Sequence, residues 1–280
     1  MPSNLIQEYM RVDHLPHIWC AGCGNGVLTR DVAVAIDELC SDPENDIERD
    51  KVVIVSGIGC SSRAAGYMDF NSLHTTHGRA IAFATGIKLA NPALTVIVIT
   101  GDGDCSAIGG NHLIHAARRN VDMTVVVYNN NIYGMTGGQY SPTTPRGDKG
   151  TTAPYGVIDR PFDIAGLAAG AGASLTVRGD TYHVKETTAL IKKCIAHKGF
   201  ALADCRSICP TYYGRKNKKG DAVTMLTKQK ECGVLQEVYN AMSDEERVGK
   251  YVIGTLTQSN YPEFTEEYQK MIDRAMGKED

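Results

Sequence analysis

The chain has 280 residues, of which 42% are hydrophobic and 22% charged, so it can form one large α/β domain with a buried core and an appendage. Its formal net charge of −3 excludes a global attraction to nucleic acid or to an anionic membrane surface. No apolar run approaches the roughly 18 to 20 residues of a membrane span, so we expect no membrane association.

The first segment, residues 1–18, predicts an extended arm and lacks the apolar core of a signal peptide. We therefore expect a cytoplasmic protein, in which the nine cysteines act as metal ligands or buried apolar residues rather than as disulfides. Cys20 and Cys23 form an isolated CxxC. Its spacing alone leaves open a zinc half-site, a redox pair and two ligands of an iron–sulfur cluster. Helical periodicity follows over Gly24–Cys40.

Apolar, β-branched runs alternate with helical patterns from about residue 24 to residue 209. This alternation predicts one doubly wound, mainly parallel sheet, with helices on both faces. The predicted helices after the first are Ala80–Ala90, Ser106–Arg119, Phe162–Ala171 and Thr181–His197. The predicted buried strands are Lys51–Ser56, Leu94–Thr100, Met123–Tyr128, Ser174–Val177 and Phe200–Cys205.

Polar residues follow two of these strands, where open parallel sheets bind ligands. Asp102 lies in Gly-Asp-Gly-Asp after one strand, and Asn130 lies in an Asn-Asn-Asn-Ile-Tyr-Gly segment after the next. A carboxylate oxygen, an amide oxygen and the backbone carbonyl of Ile132 suit Mg²⁺. The flanking glycines allow a tight turn whose backbone N–H groups face an anion. These residues therefore predict a cradle for a diphosphate held through Mg²⁺, against a plain strand-end turn and an Asn-rich loop as the alternative.

Cysteines also occur at or just beyond the carboxyl ends of other predicted strands. Cys60 follows the strand ending at Ser56, and Cys205 and Cys209 lie at and after the strand ending near residue 205. Because these ends share one edge of a parallel sheet, Cys60 and one of the other two can approach the magnesium cradle. Together with the two cysteines of the CxxC, they would make four thiolates at one place, although spacing alone does not establish the arrangement.

The strand–helix alternation ends before the last part of the chain, residues 215–280, which begins with the charged segment Lys-Asn-Lys-Lys-Gly-Asp. Helical patterns at Lys228–Met242 and Glu263–Met276 enclose a short strand-like run, Tyr251–Thr255. We expect a tail that covers another subunit, with a small independent domain as the alternative. The predicted organisation is thus an arm (1–18), a main domain (19–214) and a C-terminal tail (215–280).

These motifs carry a family resemblance. GDGD followed by NNNIYG resembles the diphosphate motif of thiamine diphosphate enzymes. The longer string NNNIYGMTGGQYSPTTP resembles the β subunits of 2-oxoacid:ferredoxin oxidoreductases, most closely the 2-oxoglutarate type. The match runs from about Trp19 to about Gly214 and implies a thiamine diphosphate-binding (pyrophosphate-type) fold with a C-terminal helical tail. CAGC, GIGCSS and CPTYYG match the family's cysteine segments. The resemblance thus implies a [4Fe–4S] cluster on Cys20, Cys23, Cys60 and Cys209, and we take the other five cysteines as structural.

The resemblance also implies contacts to the cofactor and substrate. Arg63 follows GCSS, where the family has a cation for the substrate carboxylate, with an ordinary surface arginine as the alternative. Asp102, Asn130 and the carbonyl of Ile132 would hold Mg²⁺. The implied contacts to thiamine diphosphate are Ile58, Gly59, Cys60, Ser61, His77, Gly103, Asp104, Gly134 and Met135.

The implied activity is coenzyme A-dependent oxidative decarboxylation of 2-oxoglutarate to succinyl-CoA and CO₂, with electrons passed through the [4Fe–4S] cluster to ferredoxin. One α/β domain supplies only half of a thiamine site, so we expect an α subunit carrying the pyrimidine half, in an (αβ)₂ assembly. Pyruvate or a branched-chain 2-oxoacid as substrate, a non-iron thiamine diphosphate decarboxylase or synthase, and a zinc-stabilised scaffold are the alternatives.

Overall fold

The computed structural model describes residues 2–278 of the chain. Ten strands form a large sheet and a small hairpin. In chain order the strands are β1 (Val52–Ser56), β2 (Asn71–His74), β3 (Thr95–Gly101), β4 (Met123–Asn129), β5 (Ile132–Tyr133), β6 (Gln139–Tyr140), β7 (Leu175–Asp180), β8 (Phe200–Arg206), β9 (Gly233–Leu235) and β10 (Tyr251–Gln258).

Helices connect most of these strands. In chain order they are α1 (Pro2–Tyr9), α2 (Asn25–Cys40), α3 (Ala64–Tyr67), α4 (Ala80–Ala90), α5 (Asp102–Ser106), α6 (Gly110–Arg119), α7 (Ile164–Ala171), α8 (Val184–Ala196), α9 (Ala222–Cys232), α10 (Gln236–Ala241), α11 (Asp244–Arg247) and α12 (Phe264–Ala275). A π-helical turn, Pro210–Gly214, precedes α9. Across residues 2–278, no helix combines the length and the apolar character that crossing a bilayer requires.

The large sheet has the strand order β2-β1-β3-β4-β8-β7-β10-β9. From β2 to β7 in this order, every pair of neighbouring strands is parallel, whereas β10 runs antiparallel to β7. The chain passes from β1 to β2 on one side and then to β3 on the other, so the winding reverses between β1 and β3. Ligands bind in open α/β sheets at such a reversal, outside the carboxyl ends of the strands.

Two hydrophobic cores cover the two faces of the sheet, which confirms the predicted doubly wound architecture. On one face, Leu28 and Ile36 of α2 and Ile191 of α8 pack with strand residues such as Ile97. On the other face, side chains of α4, α6 and α7 pack with Val98 and its neighbours. Adjacent residues of β3 thus enter opposite cores, because successive side chains of a strand alternate in direction. Buried β-branched residues on both faces hold the strand ends of the ligand edge in place.

The helix predicted over Ser106–Arg119 is interrupted in the structure. Helix α5 ends at Ser106, and α6 begins only at Gly110. The break brings Gly109 so close to the preceding turn that an added Cβ would lie 2.3 Å from the carbonyl oxygen of Asp104. The short α5 therefore places the Gly-Asp-Gly-Asp segment at the strand end, while α6 carries the crossover to β4.

Candidate cofactor and iron–sulfur site

Asp102 begins α5 at the end of β3, and its carboxylate is buried. The hydroxyl groups of Ser141 and Thr143 both donate to its Oδ2, at 2.5 Å each. Burial raises the pKa of Asp102 to about 6, while the hydroxyl donors and the backbone of Asn130 lower it. Sequence reasoning did not identify Ser141 and Thr143 as partners of this carboxylate, although both belong to the Ser-Pro-Thr-Thr-Pro string that carried the family resemblance.

Asn130 directly follows β4 and lines the same cavity as Asp102. Its side-chain oxygen accepts a hydrogen bond from the backbone N–H of Ile132 at 3.2 Å. The Asn130 amide therefore lies in the same turn as the Ile132 backbone. Asn131 between them has a left-handed conformation, with φ of 60°. The hydroxyl of Thr144 donates to the Asn131 carbonyl at 2.6 Å and fixes this turn. Carboxylate, amide and carbonyl oxygens therefore come from adjoining strand ends, and this donor set fits Mg²⁺.

A cavity of about 470 Å³ opens over these residues. It contains all three predicted magnesium ligands and every predicted thiamine diphosphate contact. Arg63 is absent from the lining: it is exposed, and its guanidinium lies 5.7 Å from the ring centre of Tyr67. The predicted residues that line the cavity are Ile58, Gly59, Cys60, Ser61, His77, Asp102, Gly103, Asp104, Asn130, Ile132, Gly134 and Met135.

Asp104 ties together the loops around this cavity. Its Oδ1 accepts the N–H of Gly78 at 2.6 Å and lies 2.7 Å from Nδ1 of His77. The N–H of Ile58 also approaches Oδ1, at 3.4 Å, and the Thr100 hydroxyl donates to Oδ2 at 2.8 Å. One buried carboxylate thus links the turn after β1, the loop before α4 and the end of β3. In this way Asp104 holds the histidine against the cavity wall.

Tyr133 closes the cavity on the side of the hairpin. Its hydroxyl donates to the carbonyl of Gly103 at 3.1 Å, and its ring meets that of His77 edge-on at 5.9 Å. A Cβ on Gly103 would lie 2.3 Å from the Tyr133 ring, so only glycine permits this approach. Gly103 and Tyr133 both line the cavity, so this contact forms part of its wall.

Four of the free cysteines meet beside the cavity. A Cβ on Gly134 would lie 3.3 Å from Sγ of Cys60 and 3.9 Å from Sγ of Cys209, so both sulfurs flank this glycine. Burial raises the pKa of Cys23 to about 12 and that of Cys60 to about 11. Electrostatic repulsion from Cys20 and Cys209 contributes to both increases. Cys23 and Cys60 therefore both lie within electrostatic range of Cys20 and Cys209.

Backbone contacts hold the cysteine segments together. The N–H of Gly24 donates to the carbonyl of Ile208 at 3.1 Å and joins the CxxC to the segment of Cys209. The indole N–H of Trp19 donates to the Cys60 carbonyl at 2.7 Å. Cys205, in contrast, is fully buried in β8 within the core on one face of the sheet. The structure thus brings Cys209, and not Cys205, to the other three cysteines.

The donor groups at this site are four cysteine thiols, which are the ligand type of iron–sulfur clusters. In the part of the chain that the structure describes, no three His, Cys, Asp or Glu side chains converge tightly enough to hold one metal ion. A [4Fe–4S] cluster binds four thiolates at its corners and therefore spaces them more widely than one ion does. The backbone N–H groups of Tyr212 and Tyr213 also donate to the Cys209 sulfur and lower its pKa against the larger effect of burial. Such donors stabilise a thiolate bound to iron.

Comparisons with known proteins agree on one family. Residues 57–205 match the model of the thiamine pyrophosphate enzyme C-terminal TPP-binding domain. The chain is 48% identical over 278 residues to the 2-oxoglutarate synthase subunit KorB of Methanothermobacter marburgensis, covering 99% of this chain and 95% of that protein. It is 52% identical to the subunit of the same name from Methanocaldococcus jannaschii, covering 95% and 97%.

A solved structure matches over almost the whole chain. It is the 2-oxoglutarate:ferredoxin oxidoreductase from Magnetococcus marinus, with 2-oxoglutarate, coenzyme A and succinyl-CoA bound. The TM-score is 0.84 at 33% identity, and the match covers 98% of this chain and 91% of that chain. The similarity therefore includes the arm and the C-terminal region, which the family model does not cover.

Proposed function

The chain belongs to the β subunits of 2-oxoacid:ferredoxin oxidoreductases, and from this membership we propose that it is the β subunit of a 2-oxoglutarate:ferredoxin oxidoreductase. With an α subunit, the enzyme would convert 2-oxoglutarate and coenzyme A to succinyl-CoA and CO₂ and pass two electrons to ferredoxin. The observation that carries the proposal is that Cys60 belongs both to the group of four cysteines and to the wall of the cavity above Asp102.

The polar residues of the cavity would bind and orient the diphosphate. Asp102, Asn130 and the carbonyl of Ile132 would hold Mg²⁺, with Ser141 and Thr143 fixing the orientation of the Asp102 carboxylate. Thiamine diphosphate, when bound, supplies a nucleophilic carbon and an electron sink for the decarboxylation. The backbone of Gly103 would face the diphosphate, and His77 would contact the cofactor in the orientation set by Asp104.

The four cysteines would place an electron acceptor next to that cofactor. Cys20, Cys23, Cys60 and Cys209 would bind one [4Fe–4S] cluster. This cluster would lie close to the cavity, because Gly134 lines the cavity and is flanked by the sulfurs of Cys60 and Cys209. Cys60 and Gly134 would form the wall between the cofactor and the cluster.

The complementary half of the thiamine site would come from the α subunit. The described residues form one α/β sheet. We therefore assign the pyrimidine-binding half of the site, and much of the coenzyme A site, to that partner in an (αβ)₂ assembly.

Arg63 lies outside the cavity in this chain. We infer that it would reach the substrate carboxylate only at the mouth of the cavity, where the α subunit would enclose the substrate. Replacing Arg63 with Ala should raise KM for 2-oxoglutarate about tenfold or more, with Arg63→Lys between the two, because a charged hydrogen bond contributes about 1.5 to 3 kcal/mol. An unchanged KM would remove Arg63 from the substrate site.

The test is co-purification with the α subunit without oxygen. The visible spectrum should show an iron–sulfur cluster, and a panel of 2-oxoacids should reduce a viologen dye only in the presence of coenzyme A, fastest with 2-oxoglutarate. A colourless complex that still decarboxylates 2-oxoacids would favour a non-iron thiamine enzyme. Bound zinc with no affinity for thiamine diphosphate would favour a scaffold. A preference for pyruvate would retain the chemistry and replace the substrate.

A further inference from the structure

A cationic surface lies beside the exposed side of the four-cysteine group. We call it the cationic rim, and it comprises Arg146, Lys149, Arg215, Lys216, Lys218 and Lys219. All six residues are exposed. The chain as a whole has a net charge of −3, so the positive charge of this surface is local.

The fold of the chain fixes the rim next to the cysteines. Cys209 leads directly into the turn Pro210–Gly214, whose last N–H donates back to the Cys209 carbonyl at 2.9 Å. Lys219 then folds back, because its N–H donates to the carbonyl of Gly214 at 2.9 Å. On the other side, a Cβ on Gly22 would lie 2.4 Å from Cβ of Ala222. The CxxC loop therefore contacts the end of the same segment.

Two segments distant in sequence form the rim. The side chain of Asn217 accepts the N–H of Lys149 at 2.7 Å and donates to its carbonyl at 3.1 Å. These two bonds attach the loop carrying Arg146 and Lys149 to the segment carrying the other four cations. The juxtaposition is specific to the folded chain, because 68 positions separate Lys149 from Asn217.

Most of the positive charge in the rim is uncompensated. Asp148 is the nearby carboxylate, and it pairs with Lys219 at 3.1 Å while accepting a hydrogen bond from Tyr213. Asp221 is occupied as the N-cap of α9. Across the described part of the chain, no carboxylate lies within 4.0 Å of the side-chain nitrogens of the other five cations. Such a surface attracts an acidic partner over about one Debye length, roughly 8 to 10 Å.

The exposed corner of the cysteine group lies at this surface. Cys20, Ala21 and Gly22 are exposed, whereas Cys209 is buried beneath the turn. An electron carrier docked on the rim would therefore contact the CxxC loop, on the side of the cysteines away from the cavity.

We propose that the cationic rim is the docking surface for the electron acceptor, a small iron–sulfur protein with an acidic face, which would take electrons at the Cys20–Cys23 loop. The proposal rests on the proposed function, since it presumes a cluster on the four cysteines. It assigns to Lys216 and Lys218 a role in long-range attraction and orientation of the partner, and no role in the decarboxylation.

The experiment uses the complete complex with its α subunit and an acidic 2[4Fe–4S] ferredoxin. Charge reversal in Lys216→Glu/Lys218→Glu should raise KM for ferredoxin about tenfold or more at low ionic strength, because electrostatic steering accounts for factors of ten to a thousand in association rate. Lys216→Gln/Lys218→Gln should give a smaller increase, and Lys216→Arg/Lys218→Arg should match the unaltered enzyme. High salt should remove the differences.

A matched control tests the docking surface, and a second readout tests the proposed function separately. Lys51 precedes β1 at the opposite edge of the sheet and is paired with Glu48 at 2.6 Å, so Lys51→Glu should leave KM for ferredoxin unchanged. Bleaching of the cluster by 2-oxoglutarate and coenzyme A, without any external acceptor, should be the same in all variants. Absence of bleaching in the unaltered complex would refute the proposed function. Normal bleaching with unchanged KM in the charge-reversal variant, or loss of the α subunit from that variant, would overturn the docking proposal.

Discussion

Gly57→Ala tests whether Asp104 organises the cofactor cavity. Gly57 follows β1, and an added Cβ would lie 2.1 Å from Oδ2 and 2.6 Å from Oδ1 of Asp104. No ordinary contact permits that distance, so the carboxylate has to move. A displaced Asp104 would release the N–H of Gly78 and the ring of His77, which shape the cavity wall.

The expected cost follows from these contacts. Overpacking a buried site costs about 1 to 3 kcal/mol, and each hydrogen bond to a charged group contributes about 1.5 to 3 kcal/mol. Partial relaxation of the loops would offset some of this, so we expect a loss of about 3 kcal/mol in the free energy of unfolding. For a chain of this size, that corresponds to a fall in Tm of roughly 6 to 12 °C. The affinity for thiamine diphosphate should fall as well, because His77 and the turn at Ile58 line the cavity.

Thermal unfolding and calorimetric titration with thiamine diphosphate and Mg²⁺ measure both effects. The matched control is Gly86→Ala, since Gly86 lies within α4 and an added Cβ there meets nothing within 4 Å. That control should gain about 0.5 to 1 kcal/mol, from the helix preference of alanine over glycine. A Gly57→Ala protein with unchanged Tm and unchanged cofactor affinity would refute the assigned role of Asp104.

Three further outcomes are expected. Asp102→Ala should abolish Mg²⁺-dependent thiamine diphosphate binding without unfolding the chain, because it removes a ligand but also a buried, desolvated charge; calorimetry that still detects binding would contradict this. Cys209→Ser should lose the iron and Cys205→Ser should retain it, and iron content per chain decides between them. Burial raises the pKa of Asp31 to about 6, so the folded state binds this proton more tightly than the unfolded state does. The free energy of unfolding should therefore decrease as the pH rises from about 4 to about 6, and it should stay constant at higher pH. Asp31→Asn should flatten that dependence and gain up to roughly 3 kcal/mol at neutral pH, measured as the denaturation midpoint against pH; a profile parallel to that of the unaltered chain would exclude Asp31 as the source.

The sequence alone predicted the doubly wound parallel sheet and the polar residues at its strand ends. It was wrong on the extended arm, where Pro2–Tyr9 forms α1, and on one helical pattern over Lys228–Met242, where β9 separates α9 from α10. Helix α4 occupies Ala80–Ala90 as predicted, because its apolar periodicity ends at a clear Asn-Pro signal. The parallel strands were recognisable because burial on both faces requires continuous β-branched runs, as in Thr95–Gly101. The Gly-Asp-Gly-Asp and triple-Asn segments were recognisable because each directly follows such a strand.

Only the tertiary structure decided which groups meet. Ser141 and Thr143 reach Asp102 across about 40 positions, and no local pattern encodes that contact. The run beginning at Tyr251 was recognisable as a short strand, but its antiparallel pairing with β7 depends on an edge that exists only once the sheet has formed. Periodicity reports the faces of single elements, whereas the approach of Cys209 to the CxxC loop, and of Lys149 to Asn217, is set by how those elements pack.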